Sequence, residues 1–384
     1  MENNKTKHIF GSTARTLLAV TFLFSGFVKA VDPLGTVYKI EDYLELGFGG
    51  VLHWAMPLAG TLAILLITTE LLLGVTMLLN VRSRWTSWIT LGFYLLMTPV
   101  TLYIAIANPV TDCGCFGDAL VISNWATFAK NVMLLAFAIT FVVCRKAVPQ
   151  LFVWKAELGI ALIGLGLAAG MMGYSYTHLP MLDFRPYKVG ADIMELTQGP
   201  SPDTTIVTCV YEKGGVQKKF DLNNLPKNGE GWTFIDSKST PCKIEGEGEN
   251  QRFVPIDLEP AINDFVLSEY FGEDDNIGFE VTSEILGLDK VTLICMHDLA
   301  KANKKQADRA VALYKSLYDK GEACYIITSS NPKKTKAFAK EKQLEYEAFL
   351  YLDKKPLETI VRANPGVFVV QNGIIIEKYN LRNK

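Results

Sequence analysis

Five stretches of about twenty residues, each carrying few or no charges, fill most of the first half of the chain: residues 9–31, 54–81, 86–108, 125–144 and 158–177. Each is long enough to cross roughly 30 Å of hydrocarbon as a helix. Lipid offers no partner to open backbone groups, so segments of this kind must be helical. This predicts an α-helical membrane bundle with lipid as its surroundings. Charge is distributed to match. Residues 1–177 hold 11 of the 38 Lys+Arg and 9 of the 40 Asp+Glu, while residues 178–384 have the composition of a soluble domain. The formal net charge of -2 leaves no basic stripe and excludes a nucleic-acid partner.

Basic residues mark alternate loops. Lys5, Lys7 and Arg15 precede or open the first span, Arg82 and Arg84 follow the second, and Arg145, Lys146 and Lys155 lie between the fourth and fifth. The other loops lean acidic, with Asp32, Glu41, Asp42 and Glu45 in one and Asp112 and Asp118 in the other. The positive-inside rule then places the N-terminus in the cytoplasm and, after an odd number of spans, residues 178–384 in the periplasm of a bacterial inner membrane. A competing reading cleaves the first span as a signal peptide after Val28-Lys29-Ala30. Lys29 is awkward just before such a cut, and cleavage leaves four spans.

The chemistry-bearing residues gather in few places. Cys113 and Cys115 lie in the loop between the third and fourth spans, on the side expected to be oxidising. A bridge across one intervening residue closes a very small ring, and strained, exposed disulfides are the exchangeable kind. Gly114 permits the tight path. Asp112 and Asp118 are expected to raise the thiol pKa values. A redox pair, a structural bridge and a metal site are three readings of the same residues; without a nearby His, the metal reading has few ligands. Ionisable residues inside spans are functional candidates by default. Here they are Arg15, Lys29 and Glu70. Glu70 can pair with Lys29 or Arg15 to fix helix register, or relay a proton. The fifth span carries Gly159, Gly164, Gly166, Gly170 and Gly173, which predicts close packing on the bundle.

Three motifs taken together resemble a known family. They are Ser25-Gly26-Phe27-Val28-Lys29-Ala30-Val31-Asp32-Pro33, Thr69-Glu70-Leu71-Leu72-Leu73-Gly74 and Asp112-Cys113-Gly114-Cys115-Phe116-Gly117-Asp118. They resemble the DoxX-like, methylamine-utilisation MauE membrane proteins over residues 9–145. The resemblance implies a four-helix membrane bundle (residues 1–148), followed here by a fifth transmembrane helix (149–180), and a part in making disulfide-rich periplasmic proteins. General similarity of such bundles to disulfide-generating quinone reductases makes a quinone the one cofactor to consider.

The second half divides again. Residues 181–254 read as a β-rich linker, with strands near 206–211 and 232–235, a turn at Lys213-Gly214-Gly215, a polar turn at 246–250, and Cys209 and Cys242 available for a disulfide. From residue 255 strands and helices alternate. Strands are expected at 290–296, 323–328 and 347–352, helices at 304–320, 332–343 and 356–361, and a hairpin over 367–379 turning at Asn372-Gly373. This order resembles the TlpA and peroxiredoxin-like branch of the thioredoxin fold, with Pro365 at the cis-proline position and Asn364 and Pro365 lining a binding groove. A redox thioredoxin has Cys-x-x-Cys after its first core strand. Here that place reads Asp298-Leu299-Ala300-Lys301, without cysteine. Cys295 and Cys324 read as core residues and His297 as a solvent-facing loop histidine. The sequence thus supports three functions: thiol–disulfide chemistry at Cys113 and Cys115 for maturation of exported proteins, a non-enzymatic scaffold holding a periplasmic client through the degenerate domain, and a quinone-linked oxidoreductase using Glu70.

Overall fold

A computed structural model of the chain describes residues 2–110, 113–148, 154–227, 229–246, 251–256, 258, 260–270 and 277–383. Asp112 and most of the expected turn at 246–250 lie outside the described residues. The membrane part contains α1 (Glu2–Val31), α2 (Pro33–Leu46), α3 (Ala59–Leu78), α4 (Ser83–Ala107), α5 (Asn124–Cys144) and α6 (Trp154–Thr177). Among the described residues, five helical segments are long and apolar enough to cross a membrane: Asn4–Val31, His53–Leu78, Ser83–Ala107, Asn124–Ala147 and Gly159–Thr177. The protein is a multi-pass membrane protein with a sheet-rich domain at its C-terminal end.

Small residues let α1 and α3 approach closely. A side chain at Gly26 would stand 2.8 Å from Leu71 Cγ, and one at Gly74 would stand 2.7 Å from Leu23 Cγ. The two glycine–leucine pairs interlock, which is how helices pack without help from the hydrophobic effect in lipid. Phe22, Met77, Tyr94, Leu134 and Phe141 fill the bundle core beside this seam. The same approach brings Lys29 to Glu70, with Nζ 2.9 Å from Oε2 and 3.0 Å from Oε1. Arg15 takes another partner. Its Nη1 donates to the carbonyls of Met77 (2.8 Å) and Leu78 (3.1 Å), satisfying the open C-terminal end of α3.

Two expectations for the membrane part are corrected. Residues 33–46, read as an acidic loop, form α2. Asp32 caps it by accepting from the Gly35 amide at 2.9 Å, and Pro33 occupies its first turn. The glycines of α6 do not pack tightly. Open space surrounds Gly159, Gly166, Gly170 and Gly173, and Gly164 alone among them comes near, 4.0 Å from Val75. The helix turns most of its glycines away from its neighbours and buries Ala168 and Ser175 instead.

The C-terminal half begins with α7 (Ile193–Gln198), then a four-stranded antiparallel sheet of β1 (Thr204–Lys213), β2 (Val216–Asp221), β3 (Thr233–Glu245) and β4 (Arg252–Pro255) in the order β2-β1-β3-β4. Gly214 and Gly215 turn β1 into β2 at φ +59° and +81°. Cys209 and Cys242 are free and buried. The register sets Cys209 against Ser237 and Cys242 against Thr204. Five strand positions separate them, about 16 Å at the rise of a strand, so the disulfide considered from sequence does not form.

The remainder comprises β5 (Ser268–Tyr270), β6 (Ile277–Glu280), α8 (Thr282–Leu286), β7 (Val291–Cys295), α9 (Lys304–Tyr318), β8 (Cys324–Thr328), α10 (Pro332–Lys342), β9 (Phe349–Tyr351), α11 (Lys354–Ile360), β10 (Gly366–Gln371) and β11 (Ile374–Asn380). Seven strands form one sheet in the order β11-β10-β7-β8-β9-β5-β6, with β7, β8 and β9 parallel. Parallel strands need crossovers, and α9 and α10 supply them. Ala307, Ala310, Tyr314 and Ala339 of these helices cover one face, while Ile285, Leu286, Leu357 and Ile360 cover the other. Tyr187 and Ile193, from the segment preceding β1, are buried in that second face, and Asp192 bridges to Ile374. The chain therefore enters this domain before the small sheet, which projects from it as an insertion. Cys295 and Cys324 are buried in strands, as expected. The Asn364–Pro365 peptide is cis.

Lys29→Met strands a buried carboxylate, and Glu70→Leu strands a buried ammonium; each is expected to lower stability by about 3–5 kcal/mol. The double variant is expected to recover most of that loss in thermal unfolding of the detergent-solubilised chain. Additive losses would show that the pair does not hold α1 to α3.

Candidate functional site

Cys113 and Cys115 lie in the link between α4 and α5, where three side chains grip the backbone. Lys29 Nζ, already on Glu70, donates to the carbonyl of Cys115 at 2.7 Å and to Ser25 Oγ at 2.5 Å. Ser25 Oγ donates to the same carbonyl at 2.7 Å, and the Tyr43 hydroxyl donates to the carbonyl of Cys113 at 2.5 Å. Gly114 has φ +64°, and a side chain there would strike the Lys39 stem at 2.9 Å. This position requires glycine for both reasons. The result is two sulfurs 3.1 Å apart, half-buried and presented on a fixed turn.

The two thiols are not equivalent. A hydrogen bond from Cys113 pulls the Cys115 thiol down to about 6; burial opposes this, and Lys130 and Lys29 add to the pull. The same hydrogen bond pushes the Cys113 thiol up, and burial reinforces it. Asp118, one of the two aspartates expected to raise both thiols, is among the causes of neither shift, and Asp112 lies outside the described residues. Asp118 directs its carboxylate at Arg362, 3.0 Å away. Of the two, Cys115 is the thiol more readily deprotonated.

The C-terminal domain closes over this turn. Arg362, just after α11, is buried and donates from Nε to Asp32 Oδ2 at 2.8 Å and from Nη2 to Asp118 Oδ2 at 3.0 Å. Its Nη1 donates to the Glu358 carbonyl at 2.6 Å, and its guanidinium lies over the Tyr38 ring at 5.5 Å from the centroid. Asp32 therefore caps α2 and anchors the upper domain at once. Gly35 leaves the necessary room, since a side chain there would stand 2.7 Å from Arg362 Nη2. Arg185 is also buried, donating to both oxygens of Asp183 and to the Thr359 carbonyl at 2.8 Å. Between the two parts lies a cavity of about 700 Å³ that reaches Cys113, Cys115, Lys29, Glu70 and Arg362.

His297 was expected to face solvent. It is instead buried under α2, with the Tyr38 ring edge-on at 6.1 Å and Glu358 Oε1 3.9 Å from Nδ1. Burial pulls its pKa down to about 4, so the ring is neutral at physiological pH. Glu358 is pushed up to about 7 by burial, with Lys354 opposing and Glu41 assisting. Asn364 donates to the Asp298 carbonyl at 2.9 Å, and Pro365 is buried. Among the described residues, no group of three or more His, Cys, Asp and Glu side chains is arranged to hold a metal. Sequence reasoning missed Arg362, Tyr43 and Tyr38. Their partners lie as many as 330 positions away along the chain, and no local pattern marks them.

Residues 7–144 match the family model of methylamine utilisation protein MauE, so the membrane part is similar to that family over these residues. Residues 206–243, within the projecting small sheet, match a domain of unknown function (DUF8463). No curated protein and no solved structure matches the chain.

Alkylation of Cys115 by iodoacetamide in the full-length chain is expected to rise with a midpoint near pH 6, with Cys113 unreactive through pH 8. Cys113→Ala removes the hydrogen bond and should move the Cys115 midpoint up toward the ordinary thiol value of about 8.5. Equal reactivity of the two thiols at pH 7 would contradict the assignment. A second expectation concerns the seam. Glu358 has a raised pKa, so its contribution to docking is complete below about 4.5 and is lost as pH rises through about 7. His297 has a lowered pKa, so its contribution is present above about 6.5 and is lost as pH falls through about 4. Between about pH 4.5 and 6.5 the two contributions run in opposite directions and offset each other. Hydrogen-exchange protection of α11 should therefore change little there, and Glu358→Gln should unmask the rise with pH that His297 carries; a fall with pH in that variant would contradict the assignment.

Proposed function

We propose that the chain is a membrane thiol–disulfide oxidoreductase whose reacting pair is Cys113 and Cys115 and whose task is maturation of exported proteins. The observation that carries this reading is the asymmetric dithiol: two sulfurs 3.1 Å apart, one thiol acidified and one not, on a turn held by Ser25, Lys29 and Tyr43. A purely structural loop has no need of a low-pKa thiolate facing a cavity. The alternation of basic loops supports a cytoplasmic N-terminus and a periplasmic upper domain in a bacterial inner membrane. The match to methylamine utilisation protein MauE supports a membrane protein of that kind.

The upper domain is, in this reading, a thioredoxin-like fold. Its support is the parallel β7, β8 and β9 with α9 and α10 as crossovers, and the β10–β11 hairpin antiparallel to β7. The loop after β7 bears no cysteine, so this domain contributes no dithiol of its own. Its role is to roof the bundle's pair, with Arg362 as the fastening. The scaffold alternative, in which Asn364 and Pro365 hold a client, has less support: Pro365 is buried, and His297 nearby lies under α2.

Single-cysteine variants test the proposal. In Cys113→Ser the low-pKa Cys115 should trap a mixed disulfide with an exported protein. In Cys115→Ser the yield should fall at least tenfold. Absence of trapped species in both variants, with the chain correctly inserted, would overturn it.

A further inference from the structure

Lys130 is an ionisable residue inside a membrane helix that the packing described above leaves without a task. It sits on α5, roughly 9 Å along the axis from the first residue, Asn124. Charges at such positions are costly and mark functional places. The other basic residues of the spans are satisfied: Arg15 by the carbonyls of Met77 and Leu78, Lys29 by Glu70. Among the described residues the Lys130 ammonium has no hydrogen-bond or ion-pair partner. The carboxylates around the thiol turn are already taken, Glu70 by Lys29 and both Asp32 and Asp118 by Arg362.

The ammonium is nevertheless held in place. It lies 4.1 Å from the centre of the Phe116 ring, and Phe116 directly follows Cys115. That ring is buried and packed against Phe24, with centroids 5.3 Å apart, so it gives the cation a fixed seat. Lys130, Cys115 and Phe116 line one cavity. The charge therefore stays beside the turn instead of extending to the headgroups, as a free lysine near a helix end does. The other groups facing Cys115 are Lys29 of α1, Glu70 of α3, Tyr94 of α4 and the neighbouring Cys113, while the Lys39 stem of α2 packs at Gly114. Lys29 and Glu70 act on the sulfur with opposite signs, which leaves Lys130 as the uncompensated charge.

We propose that Lys130 is the counter-ion that holds a thiolate on Cys115 in the reduced pair, and that it thereby makes the Cys113–Cys115 disulfide an oxidant of client thiols. The inference rests on the proposed thiol–disulfide function and gives its direction. A charge that stabilises the thiolate stabilises the reduced state, and a couple whose reduced state is stabilised gives its disulfide away. In the exchange, two S–H bonds of the client break and its S–S bond forms. The S–S bond of the pair breaks and takes up the two electrons. One proton ends on Cys113, Cys115 remains a thiolate beside Lys130, and the second proton leaves to solvent. Lys130 acts through Cys115 and is a positioning residue.

The test uses the full-length chain in nanodiscs, with iodoacetamide and glutathione buffers as probes. Lys130→Met should raise the midpoint of Cys115 alkylation by about one pH unit and make the disulfide about tenfold harder to reduce by glutathione. Lys130→Arg keeps the charge and should stay within about twofold of the unaltered chain in that equilibrium. Phe116→Leu keeps the charge but removes its seat, and should shift both readouts in the direction of Lys130→Met by a smaller amount. A lysine that only packs would move neither. Unchanged midpoint and equilibrium in Lys130→Met and Phe116→Leu, with glutathione exchange intact, would overturn this inference and leave the thiol–disulfide reading standing. Should Lys130→Met fail to insert, an unshifted Phe116→Leu alone would overturn it. An unaltered chain whose pair does not exchange with glutathione would overturn both.

Discussion

The ion pair between Lys29 and Glu70 is the contact on which the rest of the architecture depends. Neither charge is tolerable in a bilayer alone, and their meeting requires α1 and α3 to approach closely. The interlocked Gly26–Leu71 and Gly74–Leu23 contacts permit that approach. Once paired, Lys29 still has donors to spare, and it uses them on Ser25 and on the Cys115 carbonyl. The helix seam, the charge pair and the Cys113–Cys115 turn are therefore one connected unit.

A second fastening, from above, completes the site. Arg362 spans two carboxylates, Asp32 at the end of α1 and Asp118 just past the thiol turn. A planar guanidinium can hold two such partners in fixed directions, which a point-charge ammonium cannot. The upper domain is thus registered on the bundle at the point where its position matters to Cys113 and Cys115. The seven-stranded domain thereby helps to line the cavity that reaches Cys113 and Cys115.

The sequence made the membrane part readable because its signals are local. Apolar runs, alternating basic loops, the Cys113-Gly114-Cys115 spacing and the unusual position of Glu70 all stand out within short windows. The helices and strands of the C-terminal domain were legible for the same reason, including the Asn372-Gly373 hairpin. What was not legible depends on long-range contact. Asp32-Pro33 is a strong helix start, but its acidic surroundings read as a loop. His297 was read as exposed because nothing near it in sequence announces that α2 will cover it. Asp118 was expected to disfavour a thiolate because Arg362, which takes up its charge, lies 244 positions away. The thiol asymmetry likewise needs coordinates, since a hydrogen bond between two sulfurs has no sequence signature.

The central claim is that Cys113 and Cys115 act as one two-electron couple. Redox titration of the full-length chain in native membranes measures this directly, by equilibration against glutathione buffers followed by alkylation and mass analysis. The account predicts that both thiols disappear together along a single reversible two-electron curve. Cysteines that remain fully alkylatable in the most oxidising buffer, or that titrate independently of each other, would contradict it.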